Sequence, residues 1–312
     1  MSTHPQRANL RFDMTSPQGA GASPAPTPET TIGILGAMQS EVLGLVDAMA
    51  VEDTGSTAGF QYWTGELAGR PVVVARCGMG KVSAAMGVQR LIDEWQTGCV
   101  VVCGLAGGLA AGLRVGDIVV GETFVQHDLD ASPIYPRFEV PGLGIARFAA
   151  SPALVAAAEA SAREVAATLD VTFPPVAKPP PSGGGAARGP VEEPRPPGQG
   201  AAKVHRGLIV TCDQFVKDER RHAILNDFPD ALCVEMEGGA IAQVCHLNGV
   251  PFVIVRVISD TADGDAPADF TRFANELAPA YTVSIVRRLL ASLPIGALGA
   301  SHADRNETHG TK

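Results

Sequence analysis

Three carboxylates, Glu41, Glu237 and Asp260, stand where apolar runs of this chain end, and that placement can do acid–base chemistry. The segment Val255-Arg256-Val257-Ile258-Ser259-Asp260 closes an apolar stretch that begins at Pro251. Apolar runs of this length read as buried strands. In open α/β sheets, ligands bind beyond the carboxyl ends of such strands. Asp260 is therefore placed to act as a general acid, provided its surroundings keep it protonated. A second cluster, Val234-Glu235-Met236-Glu237, lies some twenty residues upstream. A third, Gly36-Ala37-Met38-Gln39-Ser40-Glu41, follows another apolar strand. Singly, each acid also fits a helix start, where the dipole favours negative charge. Together, three acidic strand exits point to one shared pocket.

Other clusters are weaker. Cys77-Gly78-Met79-Gly80-Lys81 fails as a phosphate loop, because Ala75 stands where its first Gly belongs and Val82 replaces the magnesium-binding hydroxyl. A tight strand-to-helix turn is the better reading. No dinucleotide fingerprint follows the first strand, and no cofactor is expected. His127-Asp128-Leu129-Asp130 has metal-like chemistry but no distant partner, so no metal site is expected. Gly104–Gly108 admits either a close backbone approach to a ligand or a plain turn.

The elements that must carry these residues alternate. Strands are expected at Thr31–Leu35, Gln61–Leu67, Pro71–Cys77, Val100–Cys103, Asp117–Val120, Glu122–Gln126, Val204–Val210 and Pro251–Ile258. Helices are expected at Glu41–Met49, Lys81–Trp95, Pro152–Thr168, Gly238–Asn248 and Phe270–Ala291. Ala84, Ala85, Val88, Leu91 and Ile92 give Lys81–Trp95 one apolar side. Ser151 and Pro152 suit the start of the next helix. Such alternation implies an α/β fold of three layers, a sheet with helices on both faces.

The composition sets outer limits. At 312 residues and 46% hydrophobic, the chain can bury a substantial core, and with only 5% aromatics that core must be Ala, Val, Leu and Ile. A formal charge of −9 argues against a nucleic-acid partner. No run reaches membrane-spanning length, and the polar N-terminus lacks a secretory apolar region. Six cysteines without a C-x-x-C read as buried reduced thiols of a cytoplasmic protein. Residues 1–29 and 296–312 read as flexible tails around a single domain, 30–295. Residues 174–202, rich in Pro and Gly, read as a solvated insertion.

Several long motifs, in order from about residue 31 to 291, resemble the 5′-methylthioadenosine/S-adenosylhomocysteine nucleosidase family of the nucleoside phosphorylase superfamily. They are Ile32 to Glu41, Cys77 to Val82, Ala106-Gly107-Gly108-Leu109, Val115 to Val120, Arg206 to Val210, Asp213-Gln214-Phe215, Val234 to Glu237 and Arg256 to Asp260. The resemblance implies a nucleoside phosphorylase-like fold with a central mixed sheet. It also implies irreversible hydrolysis of the adenine–ribose bond of a small 5′-substituted nucleoside, by a homodimer. In that frame Asp260 protonates N7 of adenine and Ser259 orients it. Glu41 positions and deprotonates the attacking water, with Arg256 nearby. Glu237 accepts the ribose hydroxyls and Met236 packs on the sugar. Phe215 stacks on the base, the Val216 backbone reads its edge, Phe270 closes over it, and Ala106 and Gly107 line the site. Met38 and Tyr62 fall where the family lines the 5′-substituent pocket.

A phosphate-dependent purine nucleoside phosphorylase and an inactive nucleoside-binding protein are the alternatives. The phosphorylases carry arginines where this chain has Ala37–Glu41 and Val102-Cys103-Gly104, so hydrolysis is the expected reaction. Two departures bear on the substrate. Leu105 replaces the family's usual Ser before Ala-Gly-Gly, and Ala131–Phe138 differs from well-known members.

Overall fold

A computed structural model describes residues 30–168, 202–262, 270, 273–274 and 277–293. The tails, 1–29 and 296–312, and the Pro/Gly-rich insertion apart from residue 202 lie outside these.

Ten strands form one mixed sheet. They are β1 (Ile32–Gly36), β2 (Ala50–Thr57), β3 (Phe60–Leu67), β4 (Arg70–Arg76), β5 (Cys99–Gly108), β6 (Ile118–Gln126), β7 (Phe148–Ala149), β8 (Val204–Thr211), β9 (Ala231–Glu235) and β10 (Phe252–Asp260). Six helices complete the described fold: α1 (Gln39–Ala48), α2 (Lys81–Trp95), α3 (Pro152–Thr168), α4 (Glu219–Asp227), α5 (Gly238–Asn248) and α6 (Ala278–Ser292). α1 and α3 pack on α6, while α2 packs on α5, and both groups lean on the sheet. This is the expected three-layer arrangement. Helix α2 shows why: Ala84, Val88, Leu91 and Ile92 recur on one face and are buried, each large aliphatic contributing roughly 1.5–3 kcal/mol.

The sheet order is β10-β6-β8-β9-β5-β1-β4-β3-β2, and β10 also pairs with β5. Five strands therefore close into a barrel-like ring. β10, β5, β1 and β4 run parallel, whereas β6 is antiparallel to β10, and β9 to β5. β5 joins these two sets. It parallels β10 from Val100 to Gly107, and its last two residues turn to pair with Val234 and Cys233 of β9. Gly107 consequently has Asp260 beside it on one side and Val234 on the other.

Several elements differ from expectation. The Gly104–Gly108 segment is strand, so β5 runs five residues further than its apolar core. Asp117–Val120 and Glu122–Gln126 join into β6, because Gly121 lies within the strand. A Cβ there would fall 2.3 Å from the Phe124 ring and 2.9 Å from Ile209. The last helix runs from Ala278 to Ser292 with a proline in its first turn, a position that tolerates the missing N–H, and the described residues Phe270, Phe273 and Ala274 before it are also helical. β2, β7, β9 and α4 were not anticipated. β2 is exposed along its length, so it carries no hydrophobic pattern to read.

Candidate active site

Glu41 sits in the first turn of α1, where the helix dipole favours a carboxylate. Its Oε2 accepts the backbone N–H groups of Ala37 (2.8 Å) and Met38 (2.9 Å). Its Oε1 accepts Leu105 N–H at 3.2 Å and lies 4.0 Å from Arg256 Nη1. The capping role and a place in the pocket thus coincide in one side chain. Gly104 makes the arrangement possible: a Cβ there would lie 2.4 Å from both Glu41 Oε1 and Arg256 Nη1.

Arg256, mid-strand in β10, is buried, bonds two acids from behind the pocket and stands beside a third, Glu41. Its Nη2 donates to Glu235 Oε2 and, at 3.2 Å, to Glu237 Oε2. Burial works against its charge, but Glu235, Glu237 and Glu41 together outweigh that and hold its pKa above the ordinary value. Glu235 also accepts the Thr211 hydroxyl and the backbone N–H groups of Glu237 and Gly238. Glu237 has its other oxygen on Gly80 N–H at 3.0 Å. Burial first, then the neighbouring Glu235 and Glu41, push its pKa up to about 7, against the pull of Arg256 and the Gly80 amide.

Asp260 ends β10 just after a register shift that falls at Ser259. Such irregularities re-aim side chains at sheet rims. Ser259 Oγ donates to Asp260 Oδ2 at 2.8 Å, and Ala262 N–H donates to Oδ1 at 2.9 Å. Each carboxyl oxygen is thereby fixed.

These groups surround a cavity of about 480 Å³, within the range of small-molecule sites. Of the residues expected from sequence, Asp260, Glu41, Ser259, Glu237, Met236, Phe215, Val216, Ala106, Gly107, Met38 and Phe270 line it. Phe215 and Phe270 meet edge to face at its rim, with centroids 5.8 Å apart. Arg256 touches the acids rather than the cavity. Tyr62 lies elsewhere: its ring packs on Trp95 and Phe60, 4.8 and 6.4 Å between centroids. β3 pairs with β4 on the side away from β1, which carries Tyr62 off the pocket.

Met79, Gln214 and Glu235 were not anticipated as lining residues. Met79 was within reach of the strand-exit rule, since it follows β4, which runs parallel to β1. The metal-like cluster is otherwise engaged. Lys81 and the Asp213 amide hold Asp128, and Ser132 holds Asp130. No group of His, Cys, Asp and Glu among the described residues is arranged for a metal. Among the described residues no Lys or Arg lines the cavity, and a phosphate dianion placed there would face Glu41 and Glu237.

Comparison with known proteins places this geometry. The family model of the phosphorylase superfamily matches residues 31–291. The 5′-methylthioadenosine/S-adenosylhomocysteine nucleosidase of Pseudoalteromonas translucida is 37% identical over 264 residues, covering 84% of this chain and 97% of that one. This chain belongs to that nucleosidase family. The Neisseria meningitidis nucleosidase in complex with methylthio-immucillin-A superposes with a TM-score of 0.70 at 36% identity, covering 85% of this chain and all of that one. The futalosine hydrolase of Helicobacter pylori shares the fold at 26% identity and a TM-score of 0.69, covering 85% and 99%. Leu105, which stands where the resemblance implies a Ser, lies in the pocket itself: its amide holds Glu41 and the residue lines the cavity.

Proposed function

We propose that this chain hydrolyses the N-glycosidic bond of 5′-methylthioadenosine, S-adenosylhomocysteine or a related 5′-substituted adenosine, releasing adenine and the 5′-substituted ribose. The observation that carries this reading is the acid set of an otherwise apolar cavity. A fixed carboxyl group, Asp260, stands at one strand exit and the Glu41–Glu237 pair at others, and among the described residues no cation lines the cavity to hold phosphate.

Asp260 donates a proton to N7 of adenine, making the base a better leaving group, and its bond from Ser259 sets the orientation. As the bond lengthens, the ribose gains oxocarbenium character. The surrounding carboxylates stabilise that developing positive charge. Glu41, pinned by three backbone amides, aligns a water and takes its proton. Arg256 keeps the buried acids from repelling one another apart. Glu237 accepts the ribose 2′- and 3′-hydroxyls, and Met236 packs on the sugar. Phe215 and Phe270 enclose the base, whose edge meets the Val216 backbone above Ala106 and Gly107. Met38, with Met79 and Leu105, lines the space left for the 5′-group. In this role Met79 takes the place first given to Tyr62.

A homodimer is part of the same proposal. Val82 and Met86, one turn apart on α2, and Leu247 on α5 are exposed apolar side chains, and such surface suits association. A cytoplasmic site of action fits the six unpaired, buried cysteines. No described helix is long and apolar enough to cross a membrane.

Adenine release from 5′-methylthioadenosine, S-adenosylhomocysteine and 5′-deoxyadenosine, with and without phosphate, tests the reading. Turnover of at least one nucleoside without phosphate is expected. Strict phosphate dependence would make the chain a phosphorylase, and inertness on all three would leave a binding protein.

A further inference from the structure

We infer that Lys81, Asp128 and Asp213 form a positioning unit that keeps the ribose acid Glu237 and the base-stacking segment 214–216 in register. The inference rests on the roles just proposed for Glu237 and Phe215. The three residues come from three strand exits: Lys81 opens α2 after β4, Asp128 follows β6, and Asp213 follows β8.

Their contacts form a closed ring. Lys81 Nζ donates to Asp128 Oδ1 at 2.6 Å and lies 3.7 Å from Asp213 Oδ2. Asp128 Oδ2 accepts the Asp213 backbone N–H at 3.0 Å. Asp213 Oδ1 accepts the Lys81 backbone N–H at 2.8 Å. Two of the four contacts are charge-assisted bonds to backbone amides, which fix chain position as well as side chains. Asp128 responds accordingly: burial raises its pKa, but the bonds from Lys81 and Asp213 outweigh that and hold it below the usual range.

Two outputs leave this ring. The amide just before Lys81, that of Gly80, donates to Glu237 Oε1. Gly80 has φ of 93°, and a Cβ there would come 3.1 Å from Asp213 Oδ1. The turn therefore lets the ring and the Glu237 contact share two consecutive amides. On the other side Asp213 leads directly into Gln214, Phe215 and Val216, all of which line the cavity. The cluster first considered as a metal site at His127–Asp130 thus contributes Asp128 to positioning.

An isolated exposed ion pair would contribute little. A positioning unit makes a sharper demand: part of its effect must pass through Glu237. Lys81→Met, Lys81→Arg and the near-isosteric Asp128→Asn are assayed for adenine release from 5′-methylthioadenosine, each alone and combined with Glu237→Gln. Asp128→Asn runs in parallel so that a folding defect in one variant does not decide the outcome. The wild-type protein, active without phosphate, first secures the underlying reading. Lys81→Met and Asp128→Asn should each raise KM about tenfold, a coupling typical of directly linked groups, with kcat much less affected. Lys81→Arg should recover most of the loss. In the Glu237→Gln background the same changes should raise KM clearly less, the remainder being the share carried by segment 214–216. An active wild type whose Lys81 and Asp128 losses persist undiminished beside Glu237→Gln would overturn the inference and leave the nucleosidase reading standing.

Discussion

Asp260 concentrates the chemistry of this site into two oxygens, each already engaged by one donor. Asp260→Asn keeps shape and most of those contacts but cannot deliver a proton. It should lower kcat at least ~100-fold, with circular dichroism and melting temperature close to wild type. A variant retaining a tenth of the turnover would remove Asp260 from the role of acid. Glu237 carries a different signature. Its folded pKa, about 7 against an ordinary 4.5, is raised chiefly by burial. The folded state therefore holds this proton more tightly than the unfolded chain. The resulting stabilisation is complete below pH 4.5 and is lost as pH rises through about 7. In the ligand-free protein, the drop in melting temperature from pH 5 to 8 should be smaller in Glu237→Gln than in wild type. Equal drops would show that Glu237 does not bind that proton in the fold. Leu105→Ser introduces the hydroxyl that the family resemblance implies at this position. One face of Leu105 already meets the cavity, so the stability cost should fall at the low end of the ~2–5 kcal/mol typical of core truncations. Turnover of 5′-methylthioadenosine should stay level or rise. A collapse of turnover on the best substrate would mark Leu105 as packing against that substrate's 5′-group.

At the scale of elements, β5 decides the architecture. Its glycines allow the strand to run between Glu41 and Arg256 and then to bridge β10 and β9. Gly104→Ala would thrust a methyl into the Glu41–Arg256 contact. Overpacking of this kind costs about 1–3 kcal/mol. Thermal melts and kcat should both fall, and an unchanged kcat would show that the Glu41–Arg256 spacing is not critical. The same strand shows what the sequence could and could not disclose. Lys81–Trp95, Pro152–Thr168 and Gly238–Asn248 are helices over the expected residues, because apolar spacing marks the first, Pro152 the start of the second and Gly249 the end of the third. The apolar half of β5 was equally plain, but its glycine half has the composition of a turn and is strand only through pairing with distant β9 and β10. β9 was hidden for a related reason: its five residues end in an acid cluster whose chemistry was evident while its backbone state was not. α4, with Ile224 its only buried residue, offers almost no apolar period. Placement of Tyr62 needed the order of β3, β4 and β1, which no local pattern carries.

At the scale of the molecule, two sets of strands running in opposite senses bring their acids to one cavity, and the charge balance there explains the reaction. Four acidic side chains, Glu41, Glu235, Glu237 and Asp260, and one guanidinium gather in a buried space, a setting that favours a cationic sugar and disfavours an anionic nucleophile. Water, rather than phosphate, is the co-reactant this field admits. The direct test is turnover of 5′-methylthioadenosine in ¹⁸O-labelled water, with phosphate absent and then in excess, followed by mass analysis of the sugar. Hydrolysis requires one labelled oxygen at the anomeric carbon of the free 5-methylthioribose and a rate of adenine release that phosphate does not raise. A sugar 1-phosphate without label, formed only when phosphate is supplied, would contradict it.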